Sequence, residues 1–142
     1  MSVVVTVVAP AGRERAWALW TDFAEWPSWN PQCVEARLHG PLAPGSRLEL
    51  HLRHPRGRDF YTRPRLSTVE PPDRLAWQVS SLGLRATTTT TLEPEPDGTR
   101  MTIAADAHGG LAFTYKMTLT ERAQADMYVA MLDALSASLA PR

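Results

Sequence analysis

The chain has 142 residues, of which 44% are hydrophobic and 21% are charged. This length suits one domain covering residues 1–142, and the composition excludes wholesale disorder. Basic and acidic residues balance at 15 each, which removes the usual reason to expect a nucleic-acid-binding protein. Cys33 is the only cysteine, so an intrachain disulfide and a cluster of thiolate ligands are excluded. No apolar run reaches the roughly 18 residues of a membrane span, so we expect no span and a cytoplasmic location.

The N-terminal part of the sequence predicts one strand followed by two short helices. Residues 3–8 are all β-branched, which is typical of a strand buried on both faces. Pro10 then precedes a segment with apolar side chains at helical spacing. Pro27 and Pro31 break the next segment into a short helix or an irregular turn.

The middle of the sequence changes to an alternating pattern, which predicts about six antiparallel strands between residues 33 and 108. Residues 47–53 are the clearest example, with leucines on one face and charged or polar residues on the other. Pro64 interrupts the strand predicted at residues 60–69 and indicates an edge position or a bulge. The dipeptide that ends at Gly98 is a strong hairpin signal.

Helical periodicity returns after about residue 117 and continues almost to the C-terminus. An apolar stripe predicts one long helix, and it consists of Ala123, Met127, Ala130, Met131, Ala134, Leu135 and Leu139. The order of strand, two short helices, strands and long helix predicts an α+β domain.

The region around the two short helices also resembles a known family. A strand that ends in Ala-Pro leads through an aromatic helix to a Trp-Asn-Pro sequence, and the matching positions are Ala9, Pro10, Trp17, Asp22, Trp26, Pro27, Trp29, Asn30 and Pro31. Further matching segments are residues 40–50, 69–77 and 92–101. Over residues 2–140 the sequence resembles the START-like (SRPBCC) superfamily, in particular its polyketide cyclase/dehydrase-like branch.

This resemblance implies a helix-grip fold, in which a curved antiparallel sheet of about seven strands wraps around a long C-terminal helix. Members of the superfamily bind or transform lipids, sterols, polyketides and plant hormones in a cavity between sheet and helix. A hydrophobic small molecule is therefore the expected partner, and we expect a monomer or a homodimer. We expect no cofactor, because the sequence carries none of the motifs GxGxxG, GxxxxGK[ST] or GxSxG.

The candidate ligand-binding residues are the inward side chains of the strands and of the last helix, together with the tryptophans of the broken helix. Methionines adapt to variable ligands, threonine hydroxyls need partners when buried, and a tryptophan can stack on a planar molecule. The candidates are Trp26, Trp29, Leu50, Leu52, Trp77, Thr88, Thr90, Met101, Ile103, Met117, Met127 and Met131. The alternative interpretation is that these side chains form an ordinary packed core.

Neither a metal site nor a cysteine nucleophile is predicted. His51 and His54 are three positions apart in an extended segment, so they point to opposite faces, and no acidic cluster surrounds them. Cys33 is opposite in parity to Val34 and Ala36, which predicts that its thiol points away from the cavity.

General acid–base chemistry is the remaining enzymatic route. In related cyclases, a few Arg, Tyr, His or Asp side chains polarise carbonyls and move protons, and the candidates here are Tyr115, Tyr128, Arg63 and Arg65. If Leu66 faces inward, the two arginines face solvent, unless a bulge near Pro64 reverses part of the register.

Three hypotheses for the function follow. The first is a binding protein for a hydrophobic, polyketide-like or aromatic molecule that also catalyses its cofactor-free cyclisation or dehydration. The second is a non-catalytic carrier or sensor that uses the same cavity. The third is a protein-interaction module resembling the activators of the heat-shock chaperone ATPase. The zero net charge and the lack of an obvious exposed apolar stripe make the third the least favoured.

Overall fold

The computed structural model describes residues 2–55, 58–110 and 120–141. Its helices are α1 (Arg13–Thr21), a 3₁₀ helix (Phe23–Glu25), α2 (Trp26–Trp29) and α3 (Glu121–Leu139). Its strands are β1 (Ser2–Ala9), β2 (Cys33–His39), β3 (Arg47–Leu52), β4 (Phe60–Thr62), β5 (Arg65–Glu70), β6 (Arg74–Ser81), β7 (Leu84–Glu95) and β8 (Gly98–His108).

The strands form one antiparallel sheet in the order β1-β8-β7-β6-β5-β3-β2. The short strand β4 also pairs with β3, beside β5. The buried face of this curled sheet packs with α3, which contacts β1, α1 and α2. The predicted helix-grip architecture and the two short helices after the first strand are therefore confirmed.

Pro64 explains why the described residues form eight strands where about seven were predicted. It divides the predicted strand at residues 60–69 into β4 and β5, because proline has no N–H to donate to a sheet ladder. Its carbonyl oxygen instead accepts a hydrogen bond from the backbone N–H of Leu48 at 2.8 Å. A register shift against β6 then lies between Leu66 and Thr68.

Strand β1 is buried on one face only, so the prediction that both faces are buried is wrong. Val3 and Val5 are buried, whereas Val4 and Val8 are 64% and 47% exposed. The reason is that an antiparallel sheet commonly packs one face on the core and leaves the other in solvent. A run of β-branched residues shows no alternation of polar and apolar side chains, so the sequence does not indicate which face is exposed.

Strand β2 contains a second irregularity, and it corrects the predicted orientation of Cys33. The register between β2 and β3 shifts between Cys33 and Glu35. Cys33 and Ala36 are both buried, although three positions separate them. Strict alternation would have placed them on opposite faces, and the register shift is what brings both inward.

The long helix α3 begins at Thr120, whose side-chain oxygen accepts a hydrogen bond from the backbone N–H of Ala123 at 3.1 Å. This arrangement is a standard N-cap. The helix buries side chains along its length, namely Ala123, Gln124, Met127, Tyr128, Met131, Leu132, Leu135 and Leu139. Among the described residues, no helix is both long and apolar enough to cross a membrane.

Candidate functional site

The inner face of β7 places two hydroxyl groups in apolar surroundings. Thr88 lies beside Trp77 on β6 and Ala105 on β8 in the sheet register. Thr90, two positions further along β7, lies between the corresponding positions Leu75 and Ile103. All of these residues are buried. The sheet therefore presents hydroxyls at two successive inward positions of one strand.

The hydroxyl of Thr88 meets a phenol from the C-terminal helix. The distance from Thr88 Oγ1 to Tyr128 OH is 3.4 Å, and either atom can donate the hydrogen bond. Burial raises the pKa of Tyr128 above 10.0, while hydrogen bonds with Thr88 and Gln124 act to lower it. Tyr128 is therefore a neutral phenol at physiological pH, which can donate a hydrogen bond or accept one.

Thr90 differs from Thr88 because its hydroxyl has no hydrogen-bond partner among the residues that the structure describes. Its exposed fraction is 0%, so bulk solvent does not contact the residue. An unpaired buried hydroxyl costs roughly 1–3 kcal/mol relative to one that is paired. Since valine has nearly the same shape without this cost, the hydroxyl of Thr90 is an unusual choice for a position that serves packing alone.

An aromatic cluster closes one part of this interior. Trp20 on α1 is its centre, with ring-centroid distances of 4.7 Å to Trp26 and 6.3 Å to each of Trp29 and Trp77. Phe23 also packs on Trp26, at 5.3 Å. The indole N–H of Trp26 donates to the carbonyl oxygen of Trp20 at 2.8 Å, which fixes α2 against α1. The cluster thus joins the two short helices to the inner face of β6.

Most of the predicted ligand-binding residues are indeed buried, on the sheet face, on α2 or on α3. The buried set consists of Trp26, Leu50, Leu52, Trp77, Thr88, Thr90, Met101, Ile103, Met127 and Met131. Trp29 is half-buried. Met117 and Tyr115 lie outside the described residues. Burial is compatible with a cavity lining and with a packed core, so contact with a ligand stays a prediction for each of these residues.

The structure does not bring Arg63 and Arg65 to the interior. Leu66 is buried, and both arginines point to the opposite, exposed side. The Arg63 side chain is 72% exposed and lies 3.8 Å from Glu49, whereas Arg65 donates to the carbonyl oxygen of Gly45 at 3.0 Å. The register shift in β5 occurs after these residues, so it does not turn them inward.

Two residues of the site were missed by the sequence analysis. Gln124 is buried one helical turn before Tyr128, and the spacing of four residues on a buried face was the available signal. Trp20 was not among the candidate residues, and it lies at the centre of the aromatic cluster. Nothing in the local sequence distinguishes it from Trp17, because both occupy buried positions of the same helix.

The outer surface carries a separate polar groove of about 230 Å³ next to β3 and β4. There the imidazole of His51 stacks on the ring of Tyr61 at 4.2 Å, and its Nε2 lies 3.3 Å from Asp59. Across residues 2–55, 58–110 and 120–141, no group of three or more His, Cys, Asp or Glu side chains is arranged to hold a metal ion.

Cys33 is expected to be an unreactive thiol in the folded protein. Burial, the largest effect, raises the pKa of this thiol from 9.0 to about 11, so at pH 8 it holds about a hundredfold less thiolate than usual. Since the folded state binds the thiol proton more tightly than the unfolded state, the contribution of this thiol to the free energy of unfolding is fully present below pH 9. It is lost as the pH rises towards 11. Labelling with a disulfide reagent should therefore be complete only in denaturant. Cys33→Ala should remove this part of the pH dependence of unfolding, and rapid native-state labelling at pH 8 would contradict the assignment.

The sequence matches the model of one known protein family over nearly its whole length. A family model described as polyketide cyclase / dehydrase and lipid transport matches residues 1–140. No curated protein matches the chain.

Solved structures with similar folds include StfQ, a di-domain ARO/CYC from the steffimycin biosynthetic pathway, with a TM-score of 0.77 and 12% identity over 97% of this chain. The chain spans 50% of the length of StfQ. A START superfamily protein from Mycobacterium smegmatis has a TM-score of 0.76 and 17% identity, with 97% of this chain and 96% of that chain covered. Major latex-like protein 151 from Panax ginseng reaches a TM-score of 0.81 at 10% identity, with 99% and 98% covered. At these identities the likeness shows the fold.

Proposed function

Because this chain belongs to the polyketide cyclase/dehydrase and lipid transport family, we propose that it binds a hydrophobic small molecule between the sheet and α3. The sheet face and the buried stripe of α3 supply an apolar surface, and methionines on both elements can adapt to different shapes. Apolar sites of this kind bind through buried area and use a few polar groups to fix orientation.

The observation that carries this proposal is the contact between Thr88 and Tyr128. A hydroxyl from the sheet and a phenol from the helix meet at 3.4 Å in a mostly apolar interior, where Gln124 is a further polar neighbour of the phenol. Such groups are costly to bury, and their hydrogen bond is long for two hydroxyls. A ligand oxygen placed beside them would complete the hydrogen bonding of both.

Cofactor-free cyclisation or dehydration of a polyketide-like molecule is the second candidate function. The neutral phenol of Tyr128 favours it, because such a donor in a water-excluded site can polarise a ligand carbonyl. Tyr115, which lies outside the described residues, stays a candidate for the proton transfer that either reaction also needs. A non-catalytic carrier would use the same interior without turnover.

Native mass spectrometry after incubation with an organic extract of the host cells tests the binding function. We expect an adduct with the mass of an apolar compound, and its absence would contradict the proposal. A carrier releases the compound unchanged, whereas an enzyme releases a product that has lost water or has isomerised. In the second case Tyr128→Phe should reduce turnover about tenfold or more while the adduct persists. Tyr61→Phe is the matched control, because Tyr61 is 75% exposed on the outer face.

A further inference from the structure

Building on the binding function above, we propose that the ligand is uncharged where it meets β7 and places a carbonyl or hydroxyl oxygen against Thr88 and Thr90. The proposal assigns these two threonines as the groups that select the ligand. It also predicts that ionised amphiphiles, such as fatty carboxylates, are excluded from the same interior.

The buried polar groups of the described residues favour an uncharged ligand. Within the described ranges, every buried polar side chain is neutral, and the set is Asn30, Thr88, Thr90, Thr99, Gln124 and Tyr128. An ionised carboxylate that leaves water needs an opposite charge or several strong hydrogen bonds, since its desolvation cost is otherwise prohibitive. A neutral oxygen needs only one or two hydrogen bonds, which hydroxyl groups can supply.

The hydroxyl of Thr90 also favours a neutral ligand oxygen, because no described residue offers it a hydrogen bond. Its neighbours across the strands are Leu75 and Ile103, both with an exposed fraction of 0%. Neither side chain can accept or donate a hydrogen bond. A ligand oxygen would offset the cost of this unpaired group, so the hydroxyl would contribute to affinity.

The spacing of Thr88 and Thr90 along β7 determines how far apart the ligand oxygens can lie. Positions two apart on a strand point to the same face and are separated by roughly 7 Å. A ligand with two oxygens that lies along β7 can therefore meet both hydroxyls, whereas a ligand with one polar end would place it against Thr90, whose hydroxyl has no partner within the described residues. Hydrocarbon contacts with Trp77 and Ile103 would fill the space between the two hydroxyls.

The proposal is tested with probes that share one hydrocarbon chain: dodecanol, methyl dodecanoate and dodecanoate. Affinities are measured at pH 8, where the carboxylate is ionised, by displacement of a polarity-sensitive dye. We expect the alcohol and the ester to bind about tenfold or more tightly than the carboxylate. Equal affinities for the three probes would overturn the selectivity while leaving the binding function intact.

Variants of β7 identify the hydroxyl that is responsible. Thr90→Val should weaken binding of the alcohol and the ester about fivefold to tenfold, because one hydrogen bond to the ligand is lost. Thr89→Val is the matched control, since Thr89 is the adjacent residue on the outer face of the same strand. Equal effects of the two substitutions would overturn the role of Thr90. Failure of every probe and of the dye to bind would overturn the binding function itself, together with this inference.

Discussion

Replacement of Trp20 by alanine is expected to lower the free energy of unfolding by about 3–5 kcal/mol. Trp20 has an exposed fraction of 0%, and its ring packs on three other tryptophans. The removed side chain leaves a cavity at the junction of α1, α2 and β6, among large and rigid aromatic side chains. Denaturation in urea, followed by far-ultraviolet circular dichroism, measures the effect without depending on tryptophan fluorescence.

Trp20→Phe separates packing from hydrogen bonding in the same cluster. The indole N–H of Trp20 has no partner among the described residues, so phenylalanine loses volume but no hydrogen bond seen there. Trp26→Phe loses similar volume together with the bond from its indole to the Trp20 carbonyl oxygen. We therefore expect Trp20→Phe to cost less than Trp26→Phe, by about 1 kcal/mol. A Trp20→Ala variant with nearly unchanged stability would show that the cluster does not hold the short helices in place.

The positions of the inward residues on β3, β6, β7 and β8 could be predicted because alternation follows directly from strand geometry. The leucines of β3 are buried as their spacing indicates, and so are Thr88 and Thr90 of β7. The same reasoning placed Met127 and Met131 on the buried face of α3. Each of these elements is regular over several residues, so a single period describes it.

Predictions failed or stayed open where the strand register is irregular, or where the sequence shows no alternation of polar and apolar residues. The shift after Cys33 turns its thiol inward, and strict alternation cannot anticipate it. For Arg63 and Arg65 the sequence left two orientations open, because the position of a bulge depends on pairing with β3 and β6. The valines of β1 do not alternate with polar residues, so the sequence did not predict which face of this edge strand is exposed to solvent.

The site itself depends on contacts that no local pattern contains. The sequence shows a run of threonines, and alternation selects Thr88 and Thr90 from it as the inward ones. Only the packing of α3 distinguishes them further, because Thr88 has a partner in Tyr128 and Thr90 has none in the described part of the chain. The selectivity proposed for the ligand rests on this difference, which arises between elements about 40 positions apart in sequence.

Replacement of Gly98 by alanine is expected to cost about 3 kcal/mol of stability or more. Gly98 begins β8, directly after the hairpin loop, and a Cβ atom there would collide with the carbonyl oxygen of Ala9. The next residue, Thr99, donates its hydroxyl to the carbonyl oxygen of Ala11 at 2.7 Å and is fully buried. The end of β1 would have to move away from β8, and this buried hydrogen bond would be strained or lost.

Gly110→Ala is the matched control for this prediction, because a Cβ at Gly110 meets no atom of the described residues within 4 Å. Urea denaturation should separate the two variants clearly, with Gly110→Ala close to the unsubstituted protein. Since the segment after Ala9 leads into α1, displacement at Gly98 should also shift the near-ultraviolet circular dichroism of Trp17 and Trp20. Equal stability of the two variants would mean that β1 and β8 can separate there at little cost. In that case the close approach of Gly98 to Ala9 would not determine how the backbone leads from β1 into α1.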